Sequence, residues 1–102
     1  MALTFNWAQK QVDKRINKHP DRYFPDKKLF EKITEEKKEI EEALKNYQKA
    51  PTEENLKLFK TEIGDDLFAI ICLVNSKGFS LDECFNLMME KNKNRAKNNY
   101  KK

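Results

Sequence analysis

An unbroken run of eight apolar residues, Leu67 to Val74, constrains the fold of this sequence more than any other feature. The run continues a pattern in which Leu56, Phe59 and Ile63 recur at helical spacing. The sequence therefore predicts one helix whose second half, Leu67 to Val74, is apolar on every side. The run is far shorter than the roughly 20 apolar residues of a membrane span. In a chain of 102 residues with 37% charged residues, a few short helices cover such a segment poorly. The sequence therefore predicts burial against a second subunit and no membrane segment.

The rest of the sequence predicts further helices rather than strands. Only 2 Gly and 3 Pro occur, whereas turn-rich β folds need many turn residues. The predicted helices cover residues 4–18, 27–48 and 53–76, and a fourth follows Ser80. Because the connections are short, neighbouring helices should run antiparallel. The expected fold is an all-α antiparallel bundle of four to five helices, with one domain over residues 1–95 and a basic tail over 96–102.

Residues that favour helix ends mark the predicted boundaries. Asp26 and Thr52 are candidate N-caps, since their side-chain oxygens can accept from free backbone N–H groups of a first turn. Gly78 is predicted to end the third helix in the left-handed conformation. Ser80 and Glu83 have the spacing of a capping box, which indicates where the fourth helix begins.

Acidic residues interrupt the apolar sides of the second and third predicted helices. At about 100° per residue, Glu36 falls inside the apolar stripe of the second helix and Glu39 falls at its edge. On the third helix, Glu62, Asp65 and Asp66 share one arc. The members of each pair Glu36/Glu39 and Glu62/Asp65 are three residues apart, so each pair projects from one helix face.

Carboxylates on core-facing positions need a compensating charge. An ionised carboxylate costs several kcal/mol to bury unless it is paired or bound to a metal. Divalent cations meet this need, and carboxylate oxygens suit hard ions such as Mg²⁺. The alternative is a solvated face with ion pairs such as Glu41 to Lys45. The position of Glu36 and the second acidic group in an otherwise apolar helix favour the metal.

At these residues the sequence resembles the MazG-like family of all-α nucleoside triphosphate pyrophosphohydrolases. The family pattern of ExxE followed by ExxD matches Glu36-Lys-Lys-Glu39 and Glu62-Ile-Gly-Asp65. The apolar continuation of the second motif also matches, and so does the K-x-x-x-R end at Lys91 and Arg95. The resemblance covers roughly residues 29–95 in order and spacing.

The resemblance implies an enzyme that hydrolyses a (d)NTP between its α- and β-phosphates, giving a monophosphate and pyrophosphate. It implies Mg²⁺, with Mn²⁺ as a second candidate, and a homodimer or homotetramer. The implied metal ligands and catalytic residues are Glu36, Glu39, Glu62 and Asp65. Lys91 and Arg95 match positions expected to meet the substrate phosphates, and their i,i+4 spacing places both on one helix face.

Three positions depart from the family pattern. Lys37 and Lys38 stand within ExxE, where many relatives have a small residue. Asp66 replaces a residue that is usually apolar, and it is an additional candidate ligand. The tail reads Arg95-Ala-Lys-Asn-Asn-Tyr100, where relatives often continue Arg-Asp-x-x-Arg-Trp.

Two residues of the first predicted helix are candidates for contacting a nucleobase. Trp7 and Gln11 share a helix face at i,i+4 and offer stacking and amide hydrogen bonds. Core packing is the alternative for Trp7. His19 precedes a proline in a loop, so a surface position is expected for it.

The basic end of the chain leaves another class of function open. Residues 91–102 carry six basic residues and no acid, so they could meet phosphates non-specifically. A helical nucleic-acid-binding or interaction module is therefore an alternative, although an acidic face repels nucleic acid. Within the enzyme class, a phosphoribosyl-ATP pyrophosphohydrolase-like enzyme and a metal-binding homologue without turnover also remain.

The cysteines and the first residues bear on the cellular compartment. Cys72 and Cys84 form neither a CxxC motif nor a zinc spacing, so they are predicted to be buried free thiols. The first residues lack a basic region followed by an apolar one. We therefore expect a cytoplasmic protein.

Overall fold

Four helices form the part of the chain that the computed structural model describes, which is residues 4–16 and 23–99, with side chains up to Arg95. They are α1 (Phe5–Ile16), α2 (Asp26–Lys49), α3 (Glu53–Lys77) and α4 (Leu81–Asn99). No strand occurs in these ranges. The predicted all-α fold is confirmed, and the described helix ends lie within one residue of their predicted positions. The predicted end of α1 at Lys18, and His19, lie outside the described residues.

The long helices α2 and α3 pack against each other as an antiparallel hairpin. Tyr47 and Phe59 stack beside the turn, with ring centroids 6.5 Å apart and planes inclined by 8°. The Asn55 amide donates to the carbonyl oxygen of Ala50 at 2.9 Å, which ties α3 to the end of α2. The hairpin therefore sets which residues of the two helices face each other.

Two of the predicted helix ends are confirmed. Thr52 caps α3, because its Oγ1 accepts from the backbone N–H of Asn55 at 3.1 Å. Gly78 ends the same helix with φ 78°, a left-handed conformation that glycine adopts without strain. At the start of α4, Ser80 Oγ accepts from the backbone N–H of Asp82 at 3.1 Å.

The predicted N-cap of α2 is wrong by one residue. Pro25 occupies the cap position, and Asp26 is the first helical residue, with no side-chain cap hydrogen bond at this end. Instead, the Asp26 carboxylate forms an ion pair with Lys77 at the other end of α3. The acid is still in the first turn of a helix, where a negative charge is favourable.

A polar network joins α1, α3 and the start of α4. The Gln9 amide donates to Asn75 Oδ1 at 2.8 Å, and Gln9 Oε1 accepts from the backbone N–H of Leu81 at 2.8 Å. Asn75 Nδ2 donates to Tyr23 Oη at 2.9 Å, and Tyr23 in turn donates to Asp13 at 2.8 Å. Burial, followed by the hydrogen bond to Asp13, raises the pKa of Tyr23 to about 12. These bonds fix where α4 begins.

The core of the single chain is small. The buried apolar residues are Leu29, Ile33, Ala69, Ile71, Cys72 and Val74. Ile63 and Leu67 belong to the apolar pattern of the third predicted helix, but they are 46% and 40% exposed. The buried residues of α3 all lie from Ala69 to Val74, near the contact between Asn75 and Gln9 of α1, whereas the helix before Ala69 has none.

The described chain is extended for its length. Its Cα radius of gyration is 16.6 Å, whereas a compact chain of this length has about 13 Å. The fourth helix contributes to this shape, because its packing partner is α1, with the rings of Phe5 and Phe85 5.8 Å apart. None of the described helices combines the length and hydropathy that crossing a membrane requires.

Candidate active site

The hairpin brings the acidic residues of α2 and α3 together. Glu36 and Glu39 on α2 are half-buried, and so is Glu62 on α3, while Asp65 is exposed at the rim. We call these four residues the carboxylate cluster. Asp66, the next residue along α3, is half-buried beside it.

Three members of the carboxylate cluster are close enough to share a cation. One carboxylate oxygen from each of Glu36, Glu62 and Asp65 lies within 4.8 Å of the other two. Oxygens on opposite sides of an octahedral Mg²⁺ are about 4.2 Å apart, since each lies 2.0–2.1 Å from the ion. Small side-chain adjustments would therefore close this set around one ion.

Three carboxylate oxygens of these acidic residues accept no hydrogen bond. Glu36 Oε2, Glu62 Oε2 and Asp66 Oδ1 are all enclosed and unpartnered. The ion pairs seen in the described chain, Lys45–Glu41 and Lys77–Asp26, involve other acids. Because an ionised carboxylate oxygen can only accept, these atoms suit a cation when the carboxylates are ionised.

The electrostatics of the carboxylate cluster also favour a cation. Burial, followed by the neighbouring charge and hydrogen bond of Glu39, raises the pKa of Glu36 from 4.5 to about 7. Burial raises the pKa of Glu62 as well, with the hydrogen bond to Glu39 and the charges of Glu39 and Asp65 as further causes. In the absence of metal, Glu36 and Glu62 therefore retain protons at pH values where an unburied glutamate would lose them.

A cleft of about 300 Å³ adjoins the carboxylate cluster along the hairpin. Its lining includes Glu39 and Glu62 of the cluster at one end and the amides of Asn46 and Asn55 further along. Asn55 is held in place by its hydrogen bond to Ala50. The cleft thus extends from the carboxylate cluster to the amide groups of Asn46 and Asn55.

The predicted phosphate contacts lie on a different helix pair. Lys91 and Arg95 are exposed on α4, which packs against α1, whereas the carboxylate cluster lies between α2 and α3. These basic residues and the acids therefore lie on different helices, and the contacts of α4 are mainly with α1. The basic tail begins within α4, which extends to Asn99, and residues 100–102 lie outside the described residues.

The predicted base contacts lie on an open face of α1. Trp7 is 40% exposed and Gln11 is exposed. It is Gln9, roughly halfway around the helix from both, that faces α3 and α4 through its hydrogen bonds. Sequence reasoning missed Gln9 and Asn75. Each is a polar residue on an otherwise apolar face, the same signal that identified Glu36.

Comparison with known proteins assigns the chain to a family. The MazG nucleotide pyrophosphohydrolase domain matches residues 24–100. An uncharacterised protein of Bacillus subtilis, YpjD, is 33% identical over 100 residues, which covers 95% of this chain and 90% of YpjD.

Two crystal structures have similar folds. One is described as a Bacillus-conserved MazG protein, a nucleotide pyrophosphohydrolase; it has a TM-score of 0.76 and 30% identity over 88% of this chain and 89% of its own. The other is the putative pyrophosphatase YpjD of Bacillus subtilis, with a TM-score of 0.75 and 29% identity over 89% and 95%. The all-α hairpin, the paired acidic motifs and the family match over most of the sequence lead to one conclusion: the chain belongs to the MazG nucleotide pyrophosphohydrolase family.

Proposed function

We propose that this protein is a Mg²⁺-dependent pyrophosphohydrolase that converts a (d)NTP to a (d)NMP and pyrophosphate, with the carboxylate cluster as its catalytic centre. The observation that carries the proposal is the convergence of oxygens from Glu36, Glu62 and Asp65 within 4.8 Å of one another. Family membership supports the reaction class.

The residues present fit a hard divalent cation. All the candidate ligands are carboxylates, and two members of the carboxylate cluster have an enclosed oxygen without a donor. We propose that Glu36, Glu62 and Asp65 hold the ion and that Glu39, one turn from Glu36, completes the set. Mg²⁺ is the first candidate and Mn²⁺ the second, because both accept carboxylate ligands.

The proposed mechanism divides the work among these side chains. A bound Mg²⁺ supplies charge neutralisation for the phosphates and a lowered pKa for the attacking water. The carboxylates orient the triphosphate by fixing the position of its counter-charge. A carboxylate not fully used as a ligand accepts the proton of the water as it attacks one phosphorus of the α–β phosphoanhydride. The bond from that phosphorus to the bridging oxygen breaks, which releases the monophosphate and pyrophosphate. Lys91 and Arg95 provide phosphate contacts, with the Arg guanidinium suited to bidentate binding.

A pyrophosphate-release screen over (d)NTPs with Mg²⁺, repeated in excess chelator, tests the proposal. We expect release that the chelator abolishes. Turnover that survives chelation would contradict the metal mechanism. Preference for phosphoribosyl-ATP over the (d)NTPs would indicate a phosphoribosyl-ATP pyrophosphohydrolase-like enzyme. Metal binding without turnover would indicate an inactive homologue, and salt-sensitive nucleic-acid binding without turnover would favour a binding module.

We also propose that the active unit is a homodimer or homotetramer. Large apolar side chains of α4 are exposed, including Leu87 at 67% and Met89 at 53%, and so is the outer side of α3. A second copy that covers these surfaces would explain the extended shape of the single chain. It would also allow Lys91 and Arg95 of one copy to reach the carboxylate cluster of another copy.

Substitution of Leu87 by lysine tests this assembly. We expect Leu87→Lys to shift the protein to monomer, because it places a charge in a contact that would exclude water. Asn86→Lys adds the same charge one residue away and serves as the matched control. Light scattering coupled to size-exclusion chromatography reports the mass. A wild-type protein that is already monomeric at tens of micromolar would contradict the proposal.

The nucleoside part of the substrate is proposed to occupy the cleft beside the carboxylate cluster. The cleft is favoured over the Trp7 and Gln11 face because Glu39 and Glu62 line it directly. We expect Asn46→Ala to raise the KM about 3- to 10-fold, the effect of losing one hydrogen bond. A KM that responds to Trp7→Ala but not to Asn46→Ala would place the base on α1 instead.

A cytoplasmic location is proposed as well. Cys72 is buried, Cys84 is half-buried, and neither is in a disulfide. Burial raises the pKa of the Cys72 thiol to about 11, which keeps it protonated and unreactive. Free thiols of this kind are typical of a reducing compartment.

A further inference from the structure

The apolar contacts of α4 leave its orientation weakly fixed. No side chain of α4 up to Arg95 is buried in the described chain, and Phe85, Leu87 and Met89 are exposed. The helix contacts mainly α1, whose described side chains are not buried either. Because apolar packing is non-directional, a contact of this kind lets a helix tilt. A directional contact is needed to hold α4 at one angle.

Gln9 of α1 supplies such a contact where α4 begins. Its Nε2 donates to the carbonyl oxygen of Phe79 at 3.1 Å, and its Oε1 accepts from the backbone N–H of Leu81 at 2.8 Å. Leu81 is the first residue of α4. A backbone N–H in the first turn of a helix has no partner within that helix, so Gln9 provides the partner from outside.

Asn75 of α3 holds the Gln9 side chain in place. Its Oδ1 accepts from Gln9 Nε2 at 2.8 Å, and its Nδ2 donates to the backbone carbonyl oxygen of Gln9 at 3.0 Å. Asn75 Nδ2 also donates to Tyr23 Oη. The amide nitrogen and oxygen of both side chains are therefore hydrogen-bonded. A fully satisfied polar network specifies one arrangement, so Gln9 joins α3 to α4 at a defined angle.

The length of α4 amplifies any change at its first residue. Arg95 lies 14 residues beyond Leu81, which is about 21 Å along a helix. A tilt of about 10° at Leu81 would therefore move Arg95 by about 4 Å. Charge-assisted hydrogen bonds to phosphate are about 2.7–2.9 Å long, so a displacement of this size would break them.

We infer that Gln9 is a positioning residue that sets the angle of α4. By this angle it places Lys91 and Arg95 where they contact the phosphates of the nucleotide. The inference rests on the proposed function, because both basic residues are proposed phosphate contacts there. It gives a role in substrate binding to a side chain on α1 that belongs to neither the carboxylate cluster nor the cleft.

The first test measures KM and kcat for pyrophosphate release by Gln9→Glu. An ionised glutamate cannot donate to Asn75 Oδ1 or to the carbonyl oxygen of Phe79. We expect KM to rise about 10-fold, the effect of losing a hydrogen bond to a charged group, with kcat changed less than about threefold. Asn6→Asp makes the same change of amide to carboxylate at an exposed residue of α1 and should leave both constants unchanged.

A second variant separates the lost bonds from the added charge. Gln9→Met keeps the length of the side chain, adds no charge and removes all its hydrogen bonds to Asn75, Phe79 and Leu81. We expect the same rise in KM as in Gln9→Glu, measured well below the Tm of each variant. A KM that rises in Gln9→Glu and stays at the wild-type value in Gln9→Met would overturn the inference.

A double-mutant cycle shows whether Gln9 acts through the basic residues of α4. In a protein that carries Lys91→Ala and Arg95→Ala, Gln9→Met should raise KM by less than about twofold, because the contacts it displaces are already gone. A merely structural role would add its full effect to that of the two alanines. An equal rise in KM in both backgrounds would contradict the inference.

Spin labels report the angle of α4 without turnover. They are placed at Glu35→Cys on α2 and Asn94→Cys on α4 of a Cys84→Ser protein, since Cys72 is buried. Labelled chains are diluted with unlabelled protein, so that only distances within a chain are measured. We expect a narrow distance distribution with Gln9 and a shift or broadening of about 4 Å in Gln9→Met.

The inference and the proposed function can fail separately. An unchanged distance distribution in Gln9→Met would overturn the inference even if the wild type releases pyrophosphate. A changed distribution without any pyrophosphate release by the wild type would support the role of Gln9 in setting α4 and contradict the proposed function.

Discussion

Replacement of Glu62 by glutamine is expected to lower kcat/KM for pyrophosphate release by at least about 100-fold. Even residues that only support metal ligands commonly cost 10- to 100-fold when removed, and Glu62 is proposed to be a ligand itself. Glutamine keeps the shape of the side chain but removes the charge that the cation requires. Glu62 also lines the cleft beside the carboxylate cluster, so the variant affects both parts of the proposed site.

The measurement is the initial rate of pyrophosphate release in saturating Mg²⁺, with the best nucleotide from the substrate screen. Glu35→Gln is the control, because it removes one negative charge from the exposed side of α2. We expect the control to retain activity within about twofold of the wild type. Comparable rates for Glu62→Gln and Glu35→Gln would reject the carboxylate cluster as the catalytic centre.

Addition of Mg²⁺ is expected to raise the Tm by roughly 10–20 °C at a concentration of 100 times the Kd. A ligand that binds only the folded state contributes about 2.7 kcal/mol at that concentration. In a domain of this size, each kcal/mol shifts the Tm by about 4–8 °C. The gain should be mostly lost in Glu62→Gln. A Tm that does not respond to millimolar Mg²⁺ would contradict a preformed cation site.

The thermal unfolding of the metal-free protein should depend on pH in a defined direction. The folded-state pKa of Glu36 is about 7, above its value of 4.5 in an unfolded chain. Between these values the folded state holds more protons than the unfolded state, so the metal-free protein loses stability as the pH rises from 4.5 to 7. Because protons and Mg²⁺ compete for the same oxygens, the Mg²⁺-induced rise in Tm should be larger at pH 8 than at pH 6. Glu36→Gln should weaken both trends.

The elements and the acidic motifs were predictable from the sequence because both depend on local spacing. Helical periodicity placed Glu36 on the apolar side of α2, and the structure finds it half-buried there. Thr52 and Gly78 act through hydrogen bonds and dihedral angles of their own neighbourhood, so their roles were also predictable.

Features that depend on the relative placement of helices were not predictable in this way. Periodicity shows that α3 is apolar on several sides, but not that Ile63 and Leu67 stay exposed while Ala69 and Val74 are buried. Gln9 contacts residues about 70 positions away in the sequence, and no local pattern specifies that pairing. The placement of α4 on α1 has the same origin, and it puts Lys91 and Arg95 on a helix outside the α2–α3 hairpin.

The two adjacent aspartates show where local geometry and family resemblance diverge. At about 100° per residue, Asp66 lies closer than Asp65 to the side of α3 that carries Ile63, and Asp66 is the more buried of the two. The resemblance instead assigned the ligand role to Asp65, which is the residue whose oxygen lies near those of Glu36 and Glu62. Burial and ligand geometry are separate properties here, because the more buried Asp66 is not the aspartate whose oxygen lies near those of Glu36 and Glu62.

The central claim is that two neighbouring helices hold their carboxylates around a divalent cation. The most direct measurement is the anomalous diffraction of crystals grown with Mn²⁺. The account predicts a peak between α2 and α3, about 2.0–2.3 Å from oxygens of Glu36, Glu62 and Asp65. A peak on another surface, or none at a Mn²⁺ concentration that supports turnover, would contradict it.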